Sequence, residues 1–275
     1  MKFVHAADLH LDSPLRGLAR YPGAPVEEMR MASRRAFENL VELCVLEGAK
    51  LLVLAGDLYD GDWRDYSTGL FFTAQLSKLR EAGVQVVLVR GNHDAASQIT
   101  RHLRLPDNTR ELSMQAAESV CFDELGIAVH GQSFATRAVT ENLAEAYPER
   151  IPGLLNLGLL HTSVNGRPGH EPYAPCSLEQ LKNKGYDYWA LGHVHAREVL
   201  CQAPWVVFSG NLQGRHARET GEKGATLVHY DATGITRVEH RPLDVVRYAS
   251  VHIDVRRAAG FDVVLELARD AFAEV

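Results

Sequence analysis

The chain has 275 residues, of which 46% are hydrophobic and 23% charged, a composition ordinary for a globular protein. Its apolar runs all fall short of the roughly 18 residues a membrane span needs. Its net charge of −6 runs against the basic balance usual in nucleic-acid binders.

In chain order, residues 3–7 form a short buried-strand candidate. Residues 26–47 follow with helical spacing (Met29, Ala32, Ala36, Leu40, Leu43, Leu46), and Gly48 suits a helix C-cap. An apolar run at 51–55, a helical stretch at 66–81 ending near Gly83, and a third run at 84–89 complete a β-α-β-α-β pattern. That pattern implies parallel strands with helices on their faces. Residues 119–122 and 127–130 read as strands, 139–147 as a short helix, 154–160 and 188–191 as further apolar runs around a helix at 177–184. From Glu198 the chain reads mostly β, with strands expected at 206–208, 225–230, 235–239 and 250–255, many of them antiparallel, and a last helix at 261–273. Residues 1–245 are read as one domain. Residues 246–275 are read as the opening of an accessory domain cut short, because a strand and a helix begin there and the chain stops inside the helical pattern.

The polar residues sit where the apolar runs end. The run at 3–7 leads into Asp8-Leu9-His10, that at 51–55 into Gly56-Asp57, and that at 86–90 into Gly91-Asn92-His93-Asp94. Likewise 157–160 leads into His161, and 188–191 into Gly192-His193-Val194-His195. Sites in α/β sheets form beyond the carboxyl ends of the strands, so these residues should converge on one crevice. Each piece alone means little: a lone D-x-H is common, and G-D after a strand is usually a turn. Together they point to a metal pair. Carboxylate, amide and imidazole donors without thiolate suit Mn²⁺ first, with Fe²⁺ or Zn²⁺ also matching, and suit a pure Ca²⁺ cage poorly. Asp57 has two oxygens with which to bridge two ions. D-x-H and H-x-H place both side chains on one side if the backbone there is extended, and an extended backbone at His93 would turn its ring away from the donors toward the cleft.

Three basic clusters (Arg30, Arg34, Arg35; Arg101, His102, Arg104; Arg215, His216, Arg218) read first as solvated surface. Arg215 and His216 are also candidates to line a substrate path, since a guanidinium fork matches phosphate oxygens. The four scattered cysteines (Cys44, Cys121, Cys176, Cys201) lack a C-x-x-C pair and read as reduced thiols of a cytoplasmic protein, the even count leaving a disulfide open. The polar N-terminus does not read as a signal peptide.

D-x-H, G-D-x-x-D, G-N-H-D, a lone His and G-H-x-H, in this order over roughly residues 1–210, resemble the signature of calcineurin-like metallophosphoesterases. Three segments narrow the resemblance to bacterial SbcD-like DNA repair exonucleases, especially their YhaO-like branch. They are Ala7-Asp8-Leu9-His10-Leu11-Asp12-Ser13-Pro14, Tyr173-Ala174-Pro175-Cys176, and Gly210-Asn211-Leu212-Gln213-Gly214-Arg215-His216 with Glu219-Thr220-Gly221-Glu222-Lys223-Gly224. The resemblance implies an α/β fold, a four-layered α-β-β-α sandwich of two mixed sheets between helices. It implies one metal on Asp8, His10, Asp57 and His195, a second on Asp57, Asn92, His161 and His193, and a catalytic, non-ligating His93. It also implies DNA as substrate and an SMC-like ATPase on another chain as partner, with a homodimer as a further option and no membrane. In one place the chain departs from its SbcD-like relatives: Asp60 stands where they often carry His, and G-D-x-x-D is what many phosphatases of the superfamily show, the aspartate orienting the catalytic histidine. Spacing favours Asp60 over Asp94 for that task. Three functions therefore stay in view: a DNA nuclease, a small-molecule phosphatase or cyclic-nucleotide phosphodiesterase, and a silent scaffold that keeps the fold for protein binding.

Overall fold

Five-residue strands without a single exposed side chain are the framework. Leu51–Ala55 and Tyr188–Gly192 are buried at every position, as strands covered on both faces must be. A computed structural model describes residues 1–13, 26–60, 66–95, 103–165 and 173–273. Its strands β1 (Lys2–Ala6), β2 (Leu51–Ala55), β3 (Gln85–Val89), β4 (Thr109–Glu111), β5 (Glu118–Phe122), β6 (Ile127–Gly131), β7 (Leu155–His161), β8 (Tyr188–Gly192), β9 (Glu198–Gln202), β10 (Trp205–Phe208), β11 (Gly224–Asp231) and β12 (Gly234–Pro242) form two six-stranded sheets. The first has the order β12-β11-β1-β2-β3-β4, the second β5-β6-β7-β8-β10-β9. Strands β1 to β4 are mutually parallel, with β11 antiparallel beside β1 and β12 antiparallel to β11 at the edge. In the second sheet β6, β7, β8 and β10 are parallel and only the outer strands β5 and β9 run antiparallel. From Glu198 onward the strands pair mostly antiparallel, as the sequence suggests: β9 with β10, and β11 with both β1 and β12.

Helices α1 (Val26–Leu46) and α2 (Ser67–Glu81) cover the outer face of the first sheet. Phe37 and Phe72 stack there with ring centroids 5.3 Å apart, over Leu40, Leu52, Leu76 and Leu88. The inner faces of both sheets meet in a second apolar layer that includes Phe3, Val53, Val87, Leu157, Leu159 and Tyr188. A third layer around Phe134, Trp189 and Phe208 lies outside the second sheet, near the short helix α4 (Leu178–Asn183). Helix α4 opens with a capping box between Ser177 and Gln180, which removes two orphan donors from its first turn. The expected four layers are all present. Among the described residues, no helix is long and apolar enough to cross a membrane, and none of the four cysteines is paired.

Several expectations are corrected. Residues 250–255 form no strand: Val251, Ile253 and Val255 alternate correctly, but no neighbouring strand offers a ladder, and β-preference is realised only in such a context. The helix expected at 139–147 is a single 3-10 turn, Leu143–Ala146, capped by Asn142. Residues Asn92–Ala95 make a helical turn, α3, rather than an extended segment. Strand β4 goes unread in the sequence because its three residues carry no apolar run. The last helix, α5 (Phe261–Ala273), has no buried residue.

Candidate metal centre

Asp8 and His10 lie just past β1, Asp57 past β2, Asn92 and His93 past β3, His161 at the end of β7, and His193 and His195 past β8. These strands point the same way within each sheet, so their carboxyl ends bring residues 185 apart in the chain into contact. His10 Nε2 lies 3.2 Å from His195 Nε2. Asp57 Oδ2 lies 3.8 Å from His10 Nε2 and 3.5 Å from His161 Nε2, which places it between the two halves of the site. His161 Nε2 is 3.0 Å from Asn92 Oδ1, and the His193 ring centroid is 5.3 Å from that of His161. Donor atoms of Asp8, His10 and His195 all fall within 4.8 Å of one another, as do those of Asp8, Asp57 and His161.

The backbone that achieves this is not extended. Asp8, His10, Asp57 and His193 have φ of 51°, 41°, 52° and 98°, a left-handed region that costs non-glycine residues about 1–3 kcal/mol each. The two loops brace each other across this turn: Asp8 N donates to Gly56 O (2.9 Å), and His10 N to Asp57 O (3.0 Å). Asp94 ties a third loop in, accepting from the backbone of Leu58, Tyr59 and Gly91 at 3.2, 3.0 and 2.9 Å. It is buried, and that burial, with Asp57 near, raises its pKa. Asp94 thus clamps the loops and does not touch His93's ring nitrogen; Asp60 does, with Oδ1 2.6 Å from His93 Nδ1. The hydrogen bond from His93 raises that ring's pKa. Burial alone would raise Asp60, but the bond from His93 and the nearby Arg215 guanidinium hold it well below the usual carboxylate range.

The donors fit cations. Carbonyl and carboxylate oxygens only accept, so His161 Nδ1 must donate to Ala55 O (2.9 Å) and His195 Nδ1 to Glu219 Oε1 (2.6 Å). In a neutral His195 ring Nε2 is then bare, and in a neutral His161 ring the Nε2 lone pair faces the Asn92 amide oxygen at 3.0 Å, two electron-pair donors that a cation would join. Arg215 Nη1 points at His10 Nε2 from 3.3 Å, so that nitrogen is bare too. Two bare nitrogens facing each other at 3.2 Å repel unless something positive lies against both. His10 Nδ1 is moreover buried without a hydrogen-bond partner. Burial holds His10 well below the ordinary histidine pKa, and the neutral ring this favours is the form that can coordinate a metal.

Arg215 reaches this centre, donating from Nη2 to Asp60 Oδ2 (2.7 Å) and from Nε to Ser13 Oγ (3.1 Å). His216 does not: it is exposed, with Nε2 3.5 Å from Glu219. Of the other basic residues, Arg34 is taken up by Asp12 (2.7 Å), while Arg101 and His102 lie outside the described residues. Glu219 and Ser13 carry no signal of their own in the sequence beyond the resemblance of the stretches that hold them, and Asp94 is marked by G-N-H-D but not as a clamp.

Gly91 leaves room for all of this. A Cβ there would sit 2.2 Å from Asp57 Oδ1 and 2.8 Å from both Asp57 N and His161 Cε1. Gly91→Ala is therefore expected to lower stability by about 1–3 kcal/mol through overpacking and to cut metal content by displacing Asp57. Thermal unfolding and elemental analysis check this; an unshifted midpoint with full metal would contradict it.

The family model for calcineurin-like phosphoesterases matches residues 1–197, and the chain belongs to that family: it is a metal-dependent phosphoesterase. It is similar to the uncharacterized metallophosphoesterase YhaO of Bacillus subtilis, at 34% identity over all of this chain and 68% of that protein. It also resembles the DNA double-strand break repair protein Mre11 of Methanopyrus kandleri, at 27% identity over 91% of this chain and 59% of the relative. Among solved structures, a dimetal phosphatase from Danio rerio shares the fold with a TM-score of 0.53 at 13% identity, over 90% of this chain and 99% of that one. The branch expected from the short motifs is the one found.

Proposed function

We propose that this phosphoesterase cleaves phosphodiester bonds in DNA, as an SbcD-like exo- or endonuclease working beside an SMC-like ATPase of another chain. The observation that carries it is Arg215, from the Gly210–His216 stretch that resembles the SbcD-like exonucleases, which reaches the lip of the metal centre and donates to Asp60 Oδ2 at 2.7 Å beside His93. Asp8, His10, Asp57 and His195 would hold one divalent ion, and Asp57, Asn92, His161 and His193 the other, with Mn²⁺ the first candidate. Bound there, two ions supply Lewis acidity and an acidified water. Asp60 takes His93's Nδ1 proton in a hydrogen bond, which leaves Nε2 as the donating atom, without a hydrogen-bond partner among the described residues. That ring is 30% exposed, so a substrate can reach it. An imidazolium whose proton is held more firmly by the bond to Asp60 suits the protonation of a sugar alkoxide as it leaves. Arg215 offers planar donors to the phosphate beside it. The similarity to Mre11 supports DNA as the diester.

A second reading, a small-molecule phosphatase or cyclic-nucleotide phosphodiesterase, draws on the same Asp60, which resembles the phosphatase pattern, and on the net charge of −6. One assay panel separates them. Mn²⁺-loaded protein is offered linear duplex DNA, single-stranded DNA, bis-p-nitrophenyl phosphate and p-nitrophenyl phosphate. Degradation of DNA together with the diester is expected. Turnover of the monoester with DNA left intact would overturn the nuclease reading, and absence of both metal and turnover would point to a scaffold.

A further inference from the structure

We infer that Glu219 is a positioning residue which fixes the tautomer of His195, so that His195 presents a bare Nε2 to the metal centre. The inference rests on the proposed role of His195 as a ligand. Glu219 is largely buried, and its carboxylate meets donors at both oxygens. Oε1 accepts from His195 Nδ1 at 2.6 Å; Oε2 accepts from Arg215 N at 2.6 Å and Asn211 Nδ2 at 2.9 Å. Each partner can act there only as a donor. Arg215 N is a backbone amide, and the Asn211 amide nitrogen is oriented by a second bond to Gln213 O at 2.9 Å. Only a carboxylate accepts from all three. The proton it holds on Nδ1 is the one that must be absent from Nε2, the atom facing His10 Nε2 at 3.2 Å. The same carboxylate pins the backbone of Arg215, whose guanidinium reaches Asp60 and Ser13. One side chain therefore sets both a ligand's free nitrogen and the arm that touches the residue holding His93.

Glu219→Gln turns this into a test with a definite sign. The amide has one oxygen and one NH₂. Two donors converge where Oε2 stood and one where Oε1 stood, so the oxygen goes to Arg215 and Asn211 and the NH₂ faces His195 Nδ1. A neutral ring then accepts at Nδ1 and carries its proton on Nε2, which blocks ligation. In the metal-free protein, at a pH high enough to keep the ring neutral, long-range ¹H–¹⁵N correlation spectra, with His195 assigned by its loss in His195→Asn, should place the proton on Nδ1 in the wild type and on Nε2 in Glu219→Gln. Mn²⁺ titration should show one of two sites weakened about 10–100-fold, the usual cost of losing an outer-shell partner, with partial recovery in Glu219→Asp. Glu219→Gln retaining the Nδ1 proton and wild-type affinity would overturn the inference. So would a neutral wild-type ring that carries its proton on Nε2, a readout that stands even if the variant does not fold. A wild type that binds fewer than two ions would instead count against the dinuclear reading and leave the tautomer measurement in force.

Discussion

His93→Ala is expected to keep both metal ions and most turnover of nitrophenyl esters, while losing about 10²–10⁴-fold on DNA or alkyl phosphodiesters, roughly 3–5 kcal/mol of barrier. A sugar oxygen leaves as a strongly basic alkoxide and needs a proton; nitrophenolate is stable as an anion near neutral pH and does not. The ring is placed for this by a helical turn, not by the extended backbone the sequence suggests. His93 N donates to Asp57 Oδ1 (2.9 Å), while its ring swings to Asp60 and packs edge-on against His10 with centroids 4.9 Å apart. The pH dependence has a fixed sign. The acid form is the active one, so the rate on alkoxide leaving groups falls as pH rises through the His93 pKa. The bond to Asp60 raises that pKa, so Asp60→Asn should move the fall to lower pH. Loss of a metal ion in His93→Ala would make the residue a ligand, and an equal fractional loss on both leaving-group classes would make it a phosphate-positioning group.

Asp57→Asn should be the more damaging change at the metals. Its carboxylate has divided duties: Oδ1 accepts from the His93 amide at 2.9 Å, and Oδ2 faces His10 and His161 at 3.8 and 3.5 Å. In the asparagine variant the oxygen must stay with the His93 amide, which turns an NH₂ toward the imidazole nitrogens and removes the one charge placed between the two ions. Metal affinity should therefore fall by more than the roughly 10–100-fold typical of an outer-shell loss, and activity should fall with it. Asparagine tolerates the left-handed backbone almost as well as aspartate, so the variant should fold. Asp60→Asn should retain its metal. Elemental analysis after Mn²⁺ reloading, with activity measured on the same samples, checks this. Equal losses with unchanged metal in both variants would contradict the two roles.

The donor set was legible because each donor ends a run of buried aliphatic residues, and a parallel sheet turns such run-ends into neighbours. His161 illustrates the strength of this signal: a single histidine without a motif of its own is placed by the strand before it. Glu219 shows where the signal stops. It lies 24 residues beyond His195 in a loop with no periodicity, and no spacing rule reveals which carboxylate will meet which imidazole. Left-handed φ at Asp8 and His10 was hidden for a similar reason. Alternation along a strand says nothing about the turn taken once pairing ends, and that turn is set by backbone bonds to Gly56 and Asp57 from another segment. The false strand at 250–255 is the converse: a sound local pattern without a neighbour.

Strand β1 sits inside its sheet, between β2 and β11, and the amino group of Met1 donates to Tyr230 O across 229 residues. During synthesis β1 and β2 can pair early, yet one edge of β1 stays open until Gly224–Asp231 has left the ribosome. An open apolar edge is a template for pairing with the wrong strand, and closing so long a loop is slow. The nascent chain thus carries its first two carboxylates long before the histidines from the second sheet arrive. Metal capture by the assembled centre is therefore expected late in folding, and in a refolding experiment its rate should report the docking of the two sheets rather than the formation of either one.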